Sequence, residues 1–346
     1  MRYAIIGSGM MGQEHIENLK LLDGVEVVAL ADPDEAMLAQ AAALLPGEVR
    51  VHADHRELLA AGGIDALVIV SPNHTHADVL QDALASELPI LVEKPLCTTV
   101  EDCDLVIEQA RGRQAPVWVA MEYRYMPPVA RLIAEVRART VGNLRMLAIR
   151  EHRFPFLVKT NNWNRFARNS GGTMVEKCCH FFDLMRLITG SEPVRLYASG
   201  GQDVNHLDEA YGGERPDIVD NAYVVVDFAS GARAMLDLCM FAEASRDQEE
   251  IAAVGELGKV ECGIPSSRVT IGKRNPLELS TEIIPIEQAL LVAGQHHGST
   301  FFQHQAFLAA IRNGTAPEVT LADGRQAVAM GVAAERSIQT GEPVAF

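Results

Sequence analysis

Two short motifs hold residue types that can do chemistry together. An apolar run at residues 90–92 leads directly into Glu93-Lys94-Pro95, so a strand ends in a lysine whose backbone is fixed by a proline. Residues 7–12 form a Gly-x-Gly-x-x-Gly loop, a pattern typical of dinucleotide binding. A positioned lysine and a dinucleotide at the same edge of a sheet indicate hydride chemistry.

The glycine loop and the strand that follows it predict a nucleotide site. The first glycine permits a tight turn, the second lets the backbone approach a pyrophosphate, and the third lets the helix pack closely on the strand. A carboxylate at the end of the second strand suits the two ribose hydroxyls of NAD and repels the 2′-phosphate of NADP. The residues predicted to bind NAD here are Gly7, Gly9, Met10, Met11, Gly12 and Asp32.

The first third of the chain alternates apolar strands with amphipathic helices. This alternation indicates a parallel sheet covered on both faces, and right-handed crossovers then make it doubly wound. The strands are predicted at residues 3–6, 25–31, 66–70, 90–92 and 117–120.

Beyond Met121 the pattern changes to strands without regular intervening helices. Longer strands are predicted at residues 144–153, 194–200, 218–228 and 232–241, shorter ones near 251–254, 259–262 and 269–271, and closing helices at 300–312 and 323–339. We therefore predict an α/β protein with two domains. Residues 1–122 form an N-terminal Rossmann domain with a parallel sheet. Residues 123–346 are predicted to form an α+β domain with a mostly antiparallel sheet.

The bulk properties limit the classes of partner. A length of 346 residues favours two domains, and 48% hydrophobic with 22% charged residues is typical of a globular protein. A formal net charge of −16 argues against nucleic acid or an anionic membrane as partner. The sequence has no signal-peptide pattern and no membrane-spanning run, which favours the cytoplasm. Six scattered cysteines show no zinc spacing, so no metal site is predicted.

Further motifs carry a resemblance to a known family. The glycine loop, Ser-Pro-Asn-His-Thr-His at 71–76 and Glu-Lys-Pro at 93–95 occur in this order, and a Gly-Gly-Thr at 171–173 leads to Glu176, His180 and Asp183. Over essentially the whole chain the sequence resembles the Gfo/Idh/MocA family of glucose–fructose oxidoreductase and inositol dehydrogenase. The resemblance implies a Rossmann domain, a C-terminal α/β domain, and NAD(P)-dependent oxidation or reduction of sugars and cyclic polyols. It also implies that residues 123–346 bind substrate and that their sheet is open, mostly antiparallel and forms the contact of a homodimer or homotetramer. The last helices are expected to be able to pack back on the first domain.

The resemblance assigns roles to individual residues. Lys94 would hydrogen-bond the reacting hydroxyl, with a cis bond to Pro95, and His180 with Glu176 would form the second catalytic element. Glu176 stands where the family has an aspartate, which is shorter by one methylene. The residues that the resemblance adds to the cofactor site are Ser71, Pro72, Asn73, His74, Glu93, Lys94 and Arg124.

Spacing supports the second element independently. Glu176, His180 and Asp183 are four and three residues apart, so in one helix they would share a face. His180 suits the role of general base for the hydroxyl proton, and Lys94 can polarise the oxygen and stabilise an alkoxide. Lys94 is the alternative base, and the sequence leaves this assignment open.

A basic segment suggests the kind of substrate. Eight basic and three acidic residues lie between Arg145 and Arg186, in a chain that is acidic overall. Arg165 and Arg168 suit bidentate oxyanion binding, and Trp163 is a candidate platform for a sugar ring. An anionic sugar is therefore one hypothesis, and ordinary surface charge is the other. The residues predicted to contact substrate are Lys94, Tyr123, Arg153, Trp163, Arg165, Arg168, Glu176 and His180.

Three functions remain open from the sequence. The first is an NAD-dependent dehydrogenase of a sugar or polyol. The second is a glycosidase that uses tightly held NAD for transient oxidation, elimination and re-reduction. This function stays open because Glu176 replaces the aspartate of the family and because the segment 145–186 is basic. The third is a non-catalytic NAD-binding regulator, which intact Lys94 and His180 argue against.

Overall fold

The computed structural model describes residues 1–346, which form two compact units. The first unit consists of Met1–Glu122 and Gln288–Val328, and the second consists of Tyr123–Glu287 and Ala329–Phe346. The strands are β1 (Arg2–Ile6), β2 (Glu26–Ala31), β3 (Arg50–His52), β4 (Ala66–Ile69), β5 (Ile90–Glu93), β6 (Val117–Ala120), β7 (Leu144–His152), β8 (Pro193–Gly201), β9 (Asn221–Phe228), β10 (Arg233–Cys239), β11 (Glu249–Gly255), β12 (Gly258–Ile264), β13 (Arg268–Arg274), β14 (Leu277–Ile283) and β15 (Val344–Ala345).

The α-helices connect and cover these strands. They are α1 (Met10–Leu19), α2 (Glu35–Ala43), α3 (His55–Ala61), α4 (His76–Leu84), α5 (Val100–Gln109), α6 (Pro127–Arg137), α7 (Ala167–Ser170), α8 (Thr173–Glu176), α9 (Cys179–Thr189), α10 (Gln288–Val292), α11 (Ser299–Asn313) and α12 (Leu321–Thr340). Three short 3₁₀ segments lie at Asn73–Thr75, Glu122–Tyr125 and Thr160–Arg165. None of the helices is both long and apolar enough to span a membrane.

The first unit is built on a six-stranded parallel sheet. Its strand order is β3-β2-β1-β4-β5-β6, so the order reverses between β1 and β4. Strands β4, β5 and β6 are buried along their whole length, which explains their near-continuous apolar sequences. In such a sheet ligands bind at the carboxyl edge, beside the reversal. The predicted parallel, doubly wound sheet is confirmed.

Short polar side chains begin several of the helices in this unit. The Asp34 carboxylate accepts hydrogen bonds from the N–H groups of Ala36 and Met37 at the start of α2. The Thr99 hydroxyl accepts one from Asp102 at the start of α5. These contacts satisfy backbone donors that have no partner inside the helix.

The second unit contains a nine-stranded sheet that is mostly antiparallel, as predicted. Its order is β14-β13-β12-β11-β7-β10-β9-β8-β15, and only β7 and β10 pair in parallel. Alternate residues of β9 and β10 are buried, so one face of the sheet carries the core and the other is open. The apolar side of α9, including Phe181, Phe182 and Met185, belongs to that core.

Some predicted elements differ from the structure. The helix predicted to carry Glu176, His180 and Asp183 on one face is divided in two, because α8 ends at Glu176 and α9 begins at Cys179. The prediction also omitted β3, β14, β15, α3, α7 and α10. Every residue of β14 is exposed, so this edge strand has no buried alternation and is held by its backbone pairing with β13.

Candidate active site

Most residues predicted to bind NAD lie along the carboxyl edge of the parallel sheet. Gly7 directly follows β1, and Asp32 directly follows β2. The segment 71–74 lies just beyond β4, and Lys94 directly follows β5. Helix α1 begins at Met10, so its N-terminal N–H groups open at the same edge and favour an anionic ligand there.

The glycine loop fits a pyrophosphate in close approach. A Cβ atom built on Gly9 would meet no atom within 4 Å, so the backbone there faces open space. A Cβ on Gly12 would lie 2.1 Å from the carbonyl oxygen of Gly7, so only glycine lets the helix pack on this turn. Gly9 thus leaves room for the ligand, whereas Gly12 lets the helix pack on the turn.

The Asp32 carboxylate is oriented by the same loop. Its Oδ2 accepts a hydrogen bond from the Ser8 N–H at 2.7 Å, and its Oδ1 accepts one from the Asp34 N–H at 2.9 Å. Each oxygen has a further lone pair that can accept a ribose hydroxyl. The negative charge disfavours a 2′-phosphate, so the site fits NAD.

Gly9→Ala is expected to weaken NAD binding at least about tenfold without loss of fold, since the added methyl enters only the ligand's space. Titration calorimetry with NAD and a thermal melt measure the two effects. Gly47→Ala is the matched control, because its Cβ also meets no atom within 4 Å and it lies away from the loop. Unchanged affinity in Gly9→Ala would contradict the placement of the pyrophosphate.

Lys94 is fixed from two sides within the first unit. The Lys94–Pro95 peptide is cis, as the resemblance implied, and the Lys94 N–H donates to Glu93 Oε2 at 3.1 Å. The two ring nitrogens of buried His76 lie 2.8 Å from the Pro95 carbonyl oxygen and 2.9 Å from that of Ser71. His76 therefore joins the lysine turn to the segment after β4.

Behind Lys94, a buried chain of side chains holds Glu93. His15 Nε2 lies 3.0 Å from Glu93 Oε1, and His15 Nδ1 lies 2.7 Å from His304 Nε2. Burial alone would raise the pKa of Glu93, but the hydrogen bond and charge of His15, together with Lys94, outweigh it and lower the pKa. Glu93 thus stays ionised beside the lysine.

A second buried cluster lies in the same unit. The Thr300 hydroxyl is 3.1 Å from Glu14 Oε1 and 2.7 Å from Glu122 Oε2, while His296 Nδ1 is 2.7 Å from Glu14 Oε1. The Thr300 hydroxyl thus lies between two buried carboxyl groups. Burial raises the pKa of Glu122, partly opposed by His296, and the nearby charges of Glu93 and Glu14 raise it further. Hydrogen bonds among these groups account for the cluster.

The sequence could not reveal these two clusters. His15 is 78 residues from Glu93 and 289 from His304, and no local spacing signals such a contact. The His296-His297 pair is visible in the sequence, but the partners of His296 are Glu14 on α1 and Glu122 at the start of the second 3₁₀ segment. Only the fold brings them together.

In the second unit, His180 is buried and stacked. Its ring lies parallel to that of Tyr123, with centroids 4.0 Å apart and planes at 9°. Arg124 donates from Nε to Asp183 Oδ2 at 2.6 Å and from Nη2 to Asp183 Oδ1 at 2.5 Å. Asp183 therefore holds the Arg124 guanidinium. The family resemblance predicts that Arg124 belongs to the cofactor site. Glu176 closes α8 and is also buried.

The turn before Glu176 is supported by a buried carboxyl on α12. Glu335 Oε1 accepts a hydrogen bond from the Met174 N–H at 3.0 Å. Burial is the main cause that raises the pKa of Glu335 to about 7. A raised pKa means that the folded state binds the proton more tightly than the unfolded chain. This stabilisation is full below about pH 4.5 and is lost as the pH rises through about 7.

Glu335→Gln is therefore expected to flatten the decline of the unfolding free energy between about pH 4.5 and pH 7, by about 3 kcal/mol. Glutamine keeps an acceptor for the Met174 N–H but cannot titrate. Urea unfolding at a series of pH values measures the effect, with exposed Glu342→Gln as control. A decline as steep as in the wild type would contradict this account.

The basic segment is paired with acidic residues of the same chain. Arg165 is buried, and its Nε lies 3.0 Å from Glu209 Oε2. Arg168 pairs with Glu214 at 2.5 Å, and Arg153 lies 3.3 Å from Glu151. Trp163 is half-buried in the 3₁₀ segment before Arg165. The sequence showed the cations but not their distant partners, so the predicted open pair of oxyanion-binding arginines is not supported.

Comparisons with known proteins agree with this geometry. Residues 1–121 match a family model described as the NAD-binding Rossmann fold of an oxidoreductase family, and residues 134–346 match the C-terminal alpha/beta domain of that family. The chain is 26% identical to myo-inositol 2-dehydrogenase of Thermotoga maritima, covering 98% of this chain and 96% of that protein. It is 28% identical to the NAD⁺-dependent scyllo-inositol 2-dehydrogenase of Bacillus subtilis, covering 99% and 96%.

The fold also matches solved structures over its full length. Levoglucosan dehydrogenase, solved in complex with NADH, aligns with a TM-score of 0.87 at 19% identity, covering 100% of this chain and 98% of that chain. This likeness concerns the fold. Because the two family models account for nearly the whole sequence, the chain belongs to the Gfo/Idh/MocA family of NAD-binding oxidoreductases.

Proposed function

We propose that this protein oxidises a neutral cyclic polyol or sugar at a CH–OH carbon, with NAD as the hydride acceptor. The observation that carries the proposal is the fixed Lys94 at the same carboxyl edge of the parallel sheet as a glycine loop with room for a dinucleotide. The inositol dehydrogenases to which the chain is similar support a ring polyol as the substrate class.

The residues of the chain divide the work of the reaction. NAD, when bound, supplies the acceptor for the hydride. Lys94 donates a hydrogen bond to the reacting oxygen and stabilises negative charge on it. His180 accepts the hydroxyl proton, with its ring held by the stack on Tyr123. Glu93 keeps a negative charge beside Lys94, which favours the ammonium form as donor rather than base.

A neutral substrate agrees with the charges of the second unit. Arg165 and Arg168, the best candidates for an oxyanion, pair with Glu209 and Glu214. A carboxylate or sulfonate on the substrate would have to displace Glu209 from the buried Arg165, at a cost in free energy. We therefore infer that hydroxyl groups, rather than an anionic group, are recognised.

Net production of NADH separates the candidate functions. Purified protein is incubated with NAD and myo-inositol, scyllo-inositol, glucose, glucuronate or nitrophenyl glycosides, and NADH and released aglycone are recorded. A dehydrogenase makes NADH in equal amount to ketone, with neutral polyols preferred. Aglycone without NADH would indicate the glycosidase, and neither product from any substrate would indicate the regulator.

We further propose that the open sheet face binds a second copy of the chain. Tyr197, Val225 and Met235 are directly opposite one another on β8, β9 and β10, and all three are exposed. Such an apolar row on an open sheet is suited to an interface between subunits.

The six unbridged cysteines and the use of NAD support a cytoplasmic location.

Val225→Asp is expected to dissociate this oligomer, because it introduces a charge at the centre of the apolar row. Light scattering coupled to gel filtration measures the molar mass. Leu105→Asp, at an exposed position of α5, is the control. An unchanged mass for Val225→Asp would place the subunit contact elsewhere.

A further inference from the structure

Two buried carboxylates lie opposite each other on neighbouring strands of the second sheet. Glu151 on β7 and Glu249 on β11 are directly opposite in the antiparallel register, and both are buried. Oε2 of each carboxyl group is buried and has no hydrogen-bond partner. Like charges placed opposite each other in the interior are costly unless a cation or a proton compensates them.

Lys177 supplies that cation. It lies at the break between α8 and α9, three residues before His180, and its side chain is buried. Its Nζ lies 2.9 Å from Glu151 Oε1 and donates to the Tyr123 hydroxyl at 2.5 Å. Burying a lysine side chain costs desolvation free energy, and contacts of this kind must offset that cost.

Tyr123 connects this charge cluster to His180. Its hydroxyl accepts from Lys177 and donates to Glu249 Oε1 at 3.3 Å, while its ring carries the imidazole stacked at 4.0 Å. The hydroxyl is therefore occupied inside the unit, where the sequence had suggested a contact with substrate. Both ends of the tyrosine are fixed, and the imidazole has a flat surface that sets its plane.

We infer that Tyr123, anchored by Lys177 and Glu249, is a positioning residue that holds His180 in the orientation needed for proton transfer. This inference rests on the proposed role of His180. The anchor depends on hydrogen bonds to charged groups, which are stronger and more directional than those between neutral groups. Loss of the anchor lets the ring rotate and misaligns the base without removing it.

The state of Glu249 links the anchor to pH. Burial, reinforced by Glu151, raises the pKa of Glu249 to about 7. The groups that face it are Glu151 and Arg153 from the β7 strand and its end, Lys177, the Tyr123 hydroxyl, the Gln248 amide at 2.7 Å, and Cys262 on β12. Below about pH 7 the carboxylate becomes neutral and the anchor weakens. Turnover is expected to fall in that range through Tyr123.

The test uses full-length enzyme with saturating NAD and myo-inositol as the probe substrate. Tyr123→Phe keeps the stacked ring but loses both anchoring hydrogen bonds, and is expected to lower kcat about tenfold with KM within about twofold. Tyr123→Leu loses the ring as well and is expected to lower kcat about 100-fold. Tyr125→Phe, two residues away, is the control and should match the wild type. A raised KM with unchanged kcat in Tyr123→Phe would indicate a substrate contact and overturn the inference.

Glu249→Gln supplies the second arm. It removes the titrating group while keeping an amide near the Tyr123 hydroxyl, and the acidic limb of the kcat–pH profile should become shallower. The double variant Tyr123→Phe/Glu249→Gln should lose no more than Tyr123→Phe alone, because the two act as one unit. Additive losses, or a pH profile unchanged in Glu249→Gln, would overturn the inference.

A readout without turnover separates this inference from the proposed function. The ring Cε1–Hε1 NMR signal of His180, identified by its loss in His180→Gln, should be shifted by the Tyr123 ring current and should move or broaden in Tyr123→Phe. If the wild type oxidises no polyol but this signal behaves so, the proposed function fails and the positioning stands. If the wild type is active but the signal does not respond, the positioning fails.

Discussion

Replacing Lys94 by alanine is expected to lower kcat at least about 100-fold, because the reacting oxygen loses the donor that stabilises its developing charge. The backbone of this turn is held by Glu93 and His76, so the fold should survive. NAD affinity is expected to change by less than about threefold. Steady-state kinetics and NAD titration measure the two quantities.

The matched control for Lys94→Ala is Lys20→Ala, which removes an exposed lysine paired with Glu17 near the end of α1. It should leave kcat unchanged. Turnover near that of the wild type in Lys94→Ala, with NAD still bound, would exclude Lys94 from the chemistry.

Replacing His180 by alanine is expected to lower kcat by a similar factor, because His180 is the proposed acceptor of the hydroxyl proton. The hydroxyl proton loses its acceptor, and general-base catalysis contributes at least about 100-fold to kcat. The loss of the imidazole also leaves the Tyr123 ring without its stacked neighbour, so a thermal melt must accompany the kinetics. His180→Gln, which keeps a polar planar group, separates packing from proton transfer and should be equally inactive.

His55→Ala is the control for His180→Ala, because His55 pairs with Asp82 in the first unit and takes no part in the proposed chemistry. It is expected to retain full kcat. If His180→Gln is folded, binds NAD and turns over at the wild-type rate, Lys94 or another group must accept the proton.

The sequence predicted those features that are local along the chain. The glycine loop, Asp32 and the Glu93-Lys94-Pro95 turn are each continuous with a strand, so their places at the sheet edge followed from the strand–helix alternation. The mostly antiparallel second sheet followed from the long alternating strands. Edge strand β14 was not predicted, because all of its residues are exposed and its sequence lacks the alternation of a half-buried strand.

Contacts between distant segments could not be predicted. The basic segment suggested an anionic substrate, but Glu209 and Glu214, which neutralise Arg165 and Arg168, lie more than forty residues further on. Lys177 is one of the eight basic residues of that segment, and the sequence gives no sign that it is buried against Glu151 beside the paired strands β7 and β11. Pairings of this kind depend on strand register, which one sequence does not specify.

The transfer of label from substrate to cofactor tests the central claim most directly. The protein is incubated with NAD and myo-inositol that carries deuterium on every ring carbon, and the NADH is analysed by mass spectrometry. The account predicts one deuterium per NADH, in equal amount to ketone, and a slower rate than with unlabelled substrate. Consumption of substrate with deuterium released to water and no NADH formed would contradict it.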